Sequence, residues 1–149
     1  MFKMASKSAG VSTLLLAGAV GMLASCATMS PMMGGQKIAL DGASEVPPVT
    51  TTATGSATVD IKSDRSVKAT VTVSGMTATA SHIHEAAAGV NGGVIVPFVK
   101  TGDNTFAAAE GAKLTDAQYE SYKAGKLYVN VHSAMNPGGE VRGQLKGNY

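Results

Sequence analysis

The stretch "GSATVDIKSDRSVKATVTVSG", residues Gly55–Gly75, decides the fold because apolar side chains recur in it at every second position. In its second half the apolar residues are Val67, Ala69, Val71 and Val73. Successive side chains of a strand point to opposite faces, so this alternation predicts strands with one buried face. The polar turn "SDRS" between the two halves predicts an antiparallel hairpin.

Further strand signals occur along the chain and are separated by turn residues. They are found at Lys37–Leu40, Gly93–Val99, Thr105–Ala109, Lys126–His132 and Glu140–Gly147. One helix is predicted near residues 115–124, where Thr115 is the N-cap and Gln118 stands at the capping-box position. Seven or eight short strands with one short helix predict a mainly β domain, either an antiparallel β-sandwich or a small barrel.

The first 25 residues have the order of a bacterial export signal. Lys3 and Lys7 precede the uncharged apolar run Ala9–Leu23, which is too short to span a bilayer comfortably. The run ends in "LASC", Leu23–Cys26, which contains the single cysteine of the sequence. This ending resembles the lipobox of bacterial lipoproteins, which implies that Cys26 is lipidated. The alternative is an ordinary signal peptide with an accidental cysteine.

A lipidated Cys26 predicts an exported protein anchored to a membrane. Because Ala27 rather than aspartate follows it, the resemblance to lipoproteins implies the periplasmic face of the outer membrane in a Gram-negative cell. Residues 26–36, with Pro31 and a Gly-Gly pair, predict a flexible tether, and residues 37–149 are the predicted domain. The methionines of the tether are compatible with a Cu(I) site, although a plain spacer is the favoured interpretation.

Charge and cysteine content argue against a nucleic-acid partner and exclude an internal disulfide. Without Lys3 and Lys7 the chain has equal numbers of basic and acidic residues, and no cluster of basic residues indicates a nucleic-acid partner. One cysteine cannot form an internal disulfide, so the stability of the domain must come from a hydrophobic core.

Three stretches together resemble the CHRD domain, a module named after chordin and found in many bacterial exported proteins. They are Ala39–Ala57, Ala80–Val96 and Leu114–Leu145. The motifs that carry the resemblance are "EVPP" at Glu45–Pro48, "HIH" at His82–His84 and "YVNVHSAMNPGGEVRG" at Tyr128–Gly143. The resemblance implies an immunoglobulin-like β-sandwich, in agreement with the strand pattern, but it implies no defined biochemical function.

All three histidines of the sequence lie in these motifs. His82 and His84 are two residues apart and share a strand face, whereas Ile83 points to the core. His132 lies on the polar face of its own predicted strand. If the two strands are neighbours, three imidazoles can bind copper or zinc, and copper is the favoured metal. The alternative is that the histidines are ordinary polar residues of a solvated face.

Three charged residues are predicted to assist such a site. Glu85 and Glu140 are candidates for hydrogen bonds that orient the ligands, and Arg142 is a candidate for an electrostatic catalytic role. The order of the histidines and Arg142 is similar to that in copper–zinc superoxide dismutases, which implies superoxide dismutase-like activity. The chain departs from that pattern because it has no histidine for a bridging position or a zinc site.

Two functions therefore stay open. The first is a redox-metal protein, most favourably a copper protein. The second is a non-catalytic envelope module that binds another protein and no metal. The segment Glu45–Pro48 bears on the second function, because its two prolines lack N–H groups and enforce an extended chain. It is either a rigid crossover at a sheet edge or a lip that binds a partner.

Overall fold

The predicted hairpin is present. It pairs two strands of eight residues each, Thr54–Ile61 and Val67–Ser74, in antiparallel register. Every second side chain of the second strand is buried, beginning with Val67. The hairpin therefore has one core-facing and one outward-facing side, as the alternation in the sequence predicted.

The structure, a computed structural model, describes residues 34–147, which form a closed antiparallel barrel with one helix. The elements are β1 (Gln36–Asp41), β2 (Thr54–Ile61), β3 (Val67–Ser74), β4 (Ala78–Glu85), β5 (Gly93–Gly102), β6 (Thr105–Ala108), α1 (Asp116–Lys123), β7 (Leu127–Ser133) and β8 (Val141–Gln144). The strands follow the order β1-β2-β3-β6-β5-β4-β7-β8 around the barrel. Pairing of Asp41 with Arg142 joins β8 to β1 and closes it. The predicted mainly β fold is confirmed in its small-barrel form.

Most element boundaries agree with the sequence pattern, but β5 continues past the predicted Val99 to Gly102, and β8 covers only Val141–Gln144 of the predicted Glu140–Gly147. β1 begins at Gln36, one residue before the predicted start of the domain. Thr115 and Gln118 form the predicted capping box at the start of α1. The export signal, Cys26 and most of the tether lie outside the described residues. Between residues 34 and 147, no helix has the length and hydropathy required to cross a bilayer.

β7 departs from the half-buried pattern predicted for it. Val129 and Val131 face the barrel core, but Tyr128 and Asn130 on the opposite face are also buried. Two loops cover this outer face, the β1–β2 loop (residues 42–53) and the β4–β5 loop (residues 86–92). The Asn91 side chain joins them by donating to the Val46 carbonyl at 2.7 Å. The "EVPP" segment therefore crosses the outer face of a closed barrel rather than a sheet edge.

Candidate metal centre

β4 and β7 are neighbours in the barrel, and this pairing brings the histidines together. The register places Asn130 opposite His82 and His132 opposite Ala80, so His82 and His132 are diagonal neighbours. His84, two residues further along β4, shares the outer face with His82. Ile83 between them is fully buried in the core, as predicted.

One ring nitrogen from each histidine lies within 4.8 Å of the other two. Nδ1 of His82 and Nε2 of His132 are 3.0 Å apart, and the ring centroids of His82 and His84 are 5.6 Å apart. Ligands about 2.0–2.1 Å from a tetrahedral ion are separated by roughly 3.4 Å, so a bound ion would draw the ring nitrogens closer together than 4.8 Å. The predicted convergence of the three histidines is confirmed.

Backbone carbonyls fix two of the three rings. Nδ1 of His84 donates to the Gly92 carbonyl, and Nδ1 of His132 donates to the Pro137 carbonyl, each at 2.9 Å. A carbonyl oxygen only accepts, so Nδ1 carries the hydrogen and Nε2 of a neutral ring keeps its lone pair. Nε2 of His84 is buried and has no hydrogen-bond partner in the part of the chain that the structure describes. A bound cation would remove the free-energy cost of this unpaired acceptor.

Burial also keeps His82 and His84 in the neutral form, which is the form that binds metal. Desolvation, followed by repulsion from His132 and His84, lowers the pKa of His82 from 6.5 to about 4. Desolvation is likewise the largest cause of the lowered pKa of His84, although the hydrogen bond to Gly92 opposes it. Both rings are therefore neutral at pH 7, so a metal ion does not have to compete with the second proton of an imidazolium on either ring.

We expect acid to destabilise the metal-free protein through His82. The unfolded ring takes up a proton near pH 6.5, whereas the folded ring does so only near pH 4, so stability is lost between these values as the pH falls. After discounting for solvent screening of this half-buried ring, the loss is about 1–2 kcal/mol. Urea unfolding in EDTA should show this loss relative to His82→Asn. Parallel pH profiles of the two proteins would contradict the assignment.

Tyr128 and Arg142 extend the site as a stack. The Tyr128 ring lies parallel to the His84 ring, with centroids 4.8 Å apart, and the Arg142 guanidinium carbon is 3.4 Å from the Tyr128 centroid. Arg142 is only 2% exposed and donates to Asn91 and to the Val90 carbonyl. An electrostatic role of Arg142 would therefore reach the histidines through Tyr128, not by contact with an anion in solution.

The two predicted glutamates hydrogen-bond elsewhere. Glu85 follows His84 by one residue, so it points away from the face of the histidines, and it accepts a hydrogen bond from Ser121 on α1 at 2.5 Å. Glu140 accepts hydrogen bonds from Ser133 and from Thr51, and these bonds lower its pKa. The orienting role predicted for the glutamates is taken by backbone carbonyls.

Two polar residues near the histidines are not identified as site residues by the sequence pattern. Asn130 is 2% exposed, and its Nδ2 lies beside the carboxyl group of Glu45, which is 5% exposed. Burial raises the pKa of Glu45 to about 7, although the charge of Arg142 opposes this shift. The position of Asn130 on the face of His132 is a usable sequence signal. Glu45 has none, because its distant loop reaches the site only in the folded barrel.

The fold and the site define a class, a small antiparallel β-barrel with a three-histidine cluster on its outer face. The model of the CHRD domain family matches residues 37–145, and the chain belongs to this family. The resemblance predicted from the sequence motifs is confirmed. Comparison with curated proteins and with solved structures gives no significant match.

Proposed function

We propose that this protein binds copper through His82, His84 and His132. The observation that supports it most strongly is the convergence of three ring nitrogens within 4.8 Å on the outer face of the barrel. Imidazole ligands suit copper and zinc, and copper(II) binds such sites more tightly than the other divalent first-row ions. The backbone carbonyls that hold His84 and His132 pre-orient two ligands, which reduces the ordering that metal binding requires.

Superoxide dismutation is the reaction that we propose for the copper form. His82 and His132 are only half-buried, so an ion between them would be open to solvent on one side. Copper held by His82, His84 and His132 would supply the Cu(II)/Cu(I) couple by which two superoxide ions and two protons become O2 and hydrogen peroxide. An open coordination position is what such a cycle requires.

We further propose that the domain acts outside the cytoplasm, tethered to the membrane by a lipid on Cys26. The order of positive charge, apolar run, small residues and cysteine in residues 1–26 supports this location. In a Gram-negative cell the anchor would lie on the periplasmic face of the outer membrane. An envelope protein is the partner expected if the domain binds no metal.

A copper titration tests the metal proposal. The purified protein, stripped with EDTA, is titrated with Cu(II) beside the His82→Ala/His84→Ala/His132→Ala variant. We expect one equivalent in the wild type and a loss of affinity of at least about 100-fold in the variant, because all three histidine ligands are removed. Val94→Ala is a matched control, since Val94 lies opposite His84 on β5 and is half exposed.

The outcomes separate the two functions. Stoichiometric binding that depends on the histidines supports the copper site and justifies a superoxide assay. Equal, weak binding by wild type and triple variant would overturn the metal proposal and favour the envelope interaction module. Circular dichroism of each protein shows whether a loss of binding reflects loss of the fold.

A further inference from the structure

We propose that Asn130 supplies a fourth ligand, its side-chain oxygen Oδ1, to the ion held by the three histidines, and that Glu45 orients this amide. The inference rests on the proposed function, because it concerns the same ion. It assigns roles to two residues outside the histidine cluster.

Asn130 lies at the centre of the covered face. It pairs with His82 across the β4–β7 ladder and with Arg142 across the β7–β8 ladder. His132 is two residues further along β7, so its side chain emerges on the same face. In the described barrel, Asn130 is the only residue of β7 that lies directly opposite one histidine, His82, and two residues from another, His132.

Three buried acceptor atoms around Asn130 have no hydrogen-bond partner within residues 34–147. They are Nε2 of His84, Oδ1 of Asn130 and Oε1 of Glu45. The three residues are 8%, 2% and 5% exposed, respectively. Nε2 of His84 and Oδ1 of Asn130 cannot satisfy each other, because both are acceptors, and leaving them buried and unpaired destabilises the fold. A cation pairs with several lone pairs at once, so an ion held by the histidines would satisfy both atoms.

The carboxylate of Glu45 sets the orientation of the Asn130 amide. An amide nitrogen only donates hydrogen bonds, and Oε1 of Glu45 and Nδ2 of Asn130 both lie within 2.8 Å of the Cβ position at Gly139, so the NH2 group is the side of the amide that faces Glu45. The oxygen Oδ1 is thereby turned away from Glu45. Because Asn130 lies directly opposite His82 in the β4–β7 ladder, its amide lies next to the candidate ligands as well as to Glu45.

Gly139 leaves the space that this arrangement needs. A Cβ atom at this position would lie 2.4 Å from Oε1 of Glu45 and 2.8 Å from Nδ2 of Asn130, and the backbone has a φ of +131°. Any side chain there would push the carboxylate and the amide apart. A glycine is therefore required where the chain passes the Glu45–Asn130 pair.

An amide oxygen changes the metal preference of the site. Carbonyl oxygen is a harder ligand than imidazole and favours divalent ions over Cu(I). We therefore expect the four-ligand site to hold Cu(II) more tightly than a site of three histidines alone would. Asn130 would also occupy one coordination position while leaving room for a small exchangeable ligand.

The test uses Cu(II) titration and electron paramagnetic resonance on the metal-stripped full-length protein. Asn130→Ala should weaken Cu(II) binding by at least about 10-fold and change the copper spectrum. Glu45→Gln should weaken it less, because the amide can then turn over. The double variant Glu45→Gln/Asn130→Asp exchanges the carboxyl and the amide group between the two positions. An amide N–H at position 45 then faces a carboxylate oxygen at position 130, so this variant should recover the copper affinity that Glu45→Gln loses.

Asn104→Ala is the matched control. The Asn104 amide bonds the backbone of Met76 and Ala78 away from the histidines, so its loss should leave copper affinity and spectrum unchanged. A second measurement uses the wild-type protein, so it tests the fourth ligand even if a variant does not fold. In wild-type protein labelled with ¹³C at the asparagine side-chain carbonyls, electron–nuclear double resonance should detect a ¹³C coupling to Cu(II).

The outcomes distinguish this inference from the proposed function. Copper binding that requires the histidines but is unchanged in Asn130→Ala, or a wild-type copper protein without a ¹³C coupling, would overturn the fourth ligand and leave the three-histidine site. A wild type that binds no copper would overturn both. A weakened Asn130→Ala together with a detected coupling would support the four-ligand site.

Discussion

Replacing Arg142 with methionine is expected to lower the free energy of unfolding by about 3–5 kcal/mol. Methionine fills much of the same space but donates no hydrogen bonds. The Asn91 oxygen and the Val90 carbonyl would lose their donors, and the buried carboxyl of Glu45 would lose its compensating charge. The contact with the Tyr128 ring would also lose its cation–π component. Urea unfolding at pH 7 measures the change.

Two variants show whether this loss arises from the buried position of Arg142. Lys37→Met removes an exposed cation from β1 and should change stability by no more than about 0.5 kcal/mol. Adding Glu45→Gln to Arg142→Met should recover part of the loss, because no uncompensated carboxylate is left in the cluster. A loss below about 1 kcal/mol in Arg142→Met would contradict a structural role for this stack.

Truncating Ile83 to alanine is expected to cost about 3–4 kcal/mol. Ile83 is fully buried in the barrel core, and the vacated volume is enclosed by rigid strands on either side. Val94→Ala on the neighbouring strand removes a half-exposed side chain and should cost less than about 0.5 kcal/mol. Chemical unfolding of both variants provides the comparison. Equal losses would show that β4 is not anchored in the core by Ile83.

The second prediction bears on the histidines as well as on stability. Ile83 lies between His82 and His84, and a strand alternates its side chains strictly. Burial of Ile83 therefore forces both histidines outward. A shift of register by one residue would exchange these faces, so the core contact of Ile83 protects the metal site from such a shift.

Local pattern is sufficient for the parts of this protein that depend on one strand or one helix turn. The period-two pattern of Val67 to Val73 predicts both a strand and its buried face, because the geometry of a single strand links the two. The capping box of Thr115 and Gln118 predicts the start of α1, because both hydrogen bonds form within one turn. The same local logic places His82 and His84 on one face.

Contacts between distant segments are not contained in such patterns. Both faces of β7 are buried because two loops fold over its outer face. The alternation of apolar and polar residues in Lys126–His132 contains no information about those loops. Glu85 and Glu140 have suitable chemistry and sequence positions close to the histidines or Arg142, yet their hydrogen bonds go to Ser121 and to Ser133 and Thr51.

The sequence by itself determined the strand faces, the helix, the family and the three histidines as candidate ligands. Only the tertiary structure decided that the histidines converge, because strand order β4-β7 depends on the closure of the whole barrel. It also decided that Asn130 and Glu45, rather than Glu85 and Glu140, are the polar neighbours of the cluster. The physical reason is that side-chain alternation is a property of one strand, whereas the neighbours of a strand are selected by the burial of all strands together.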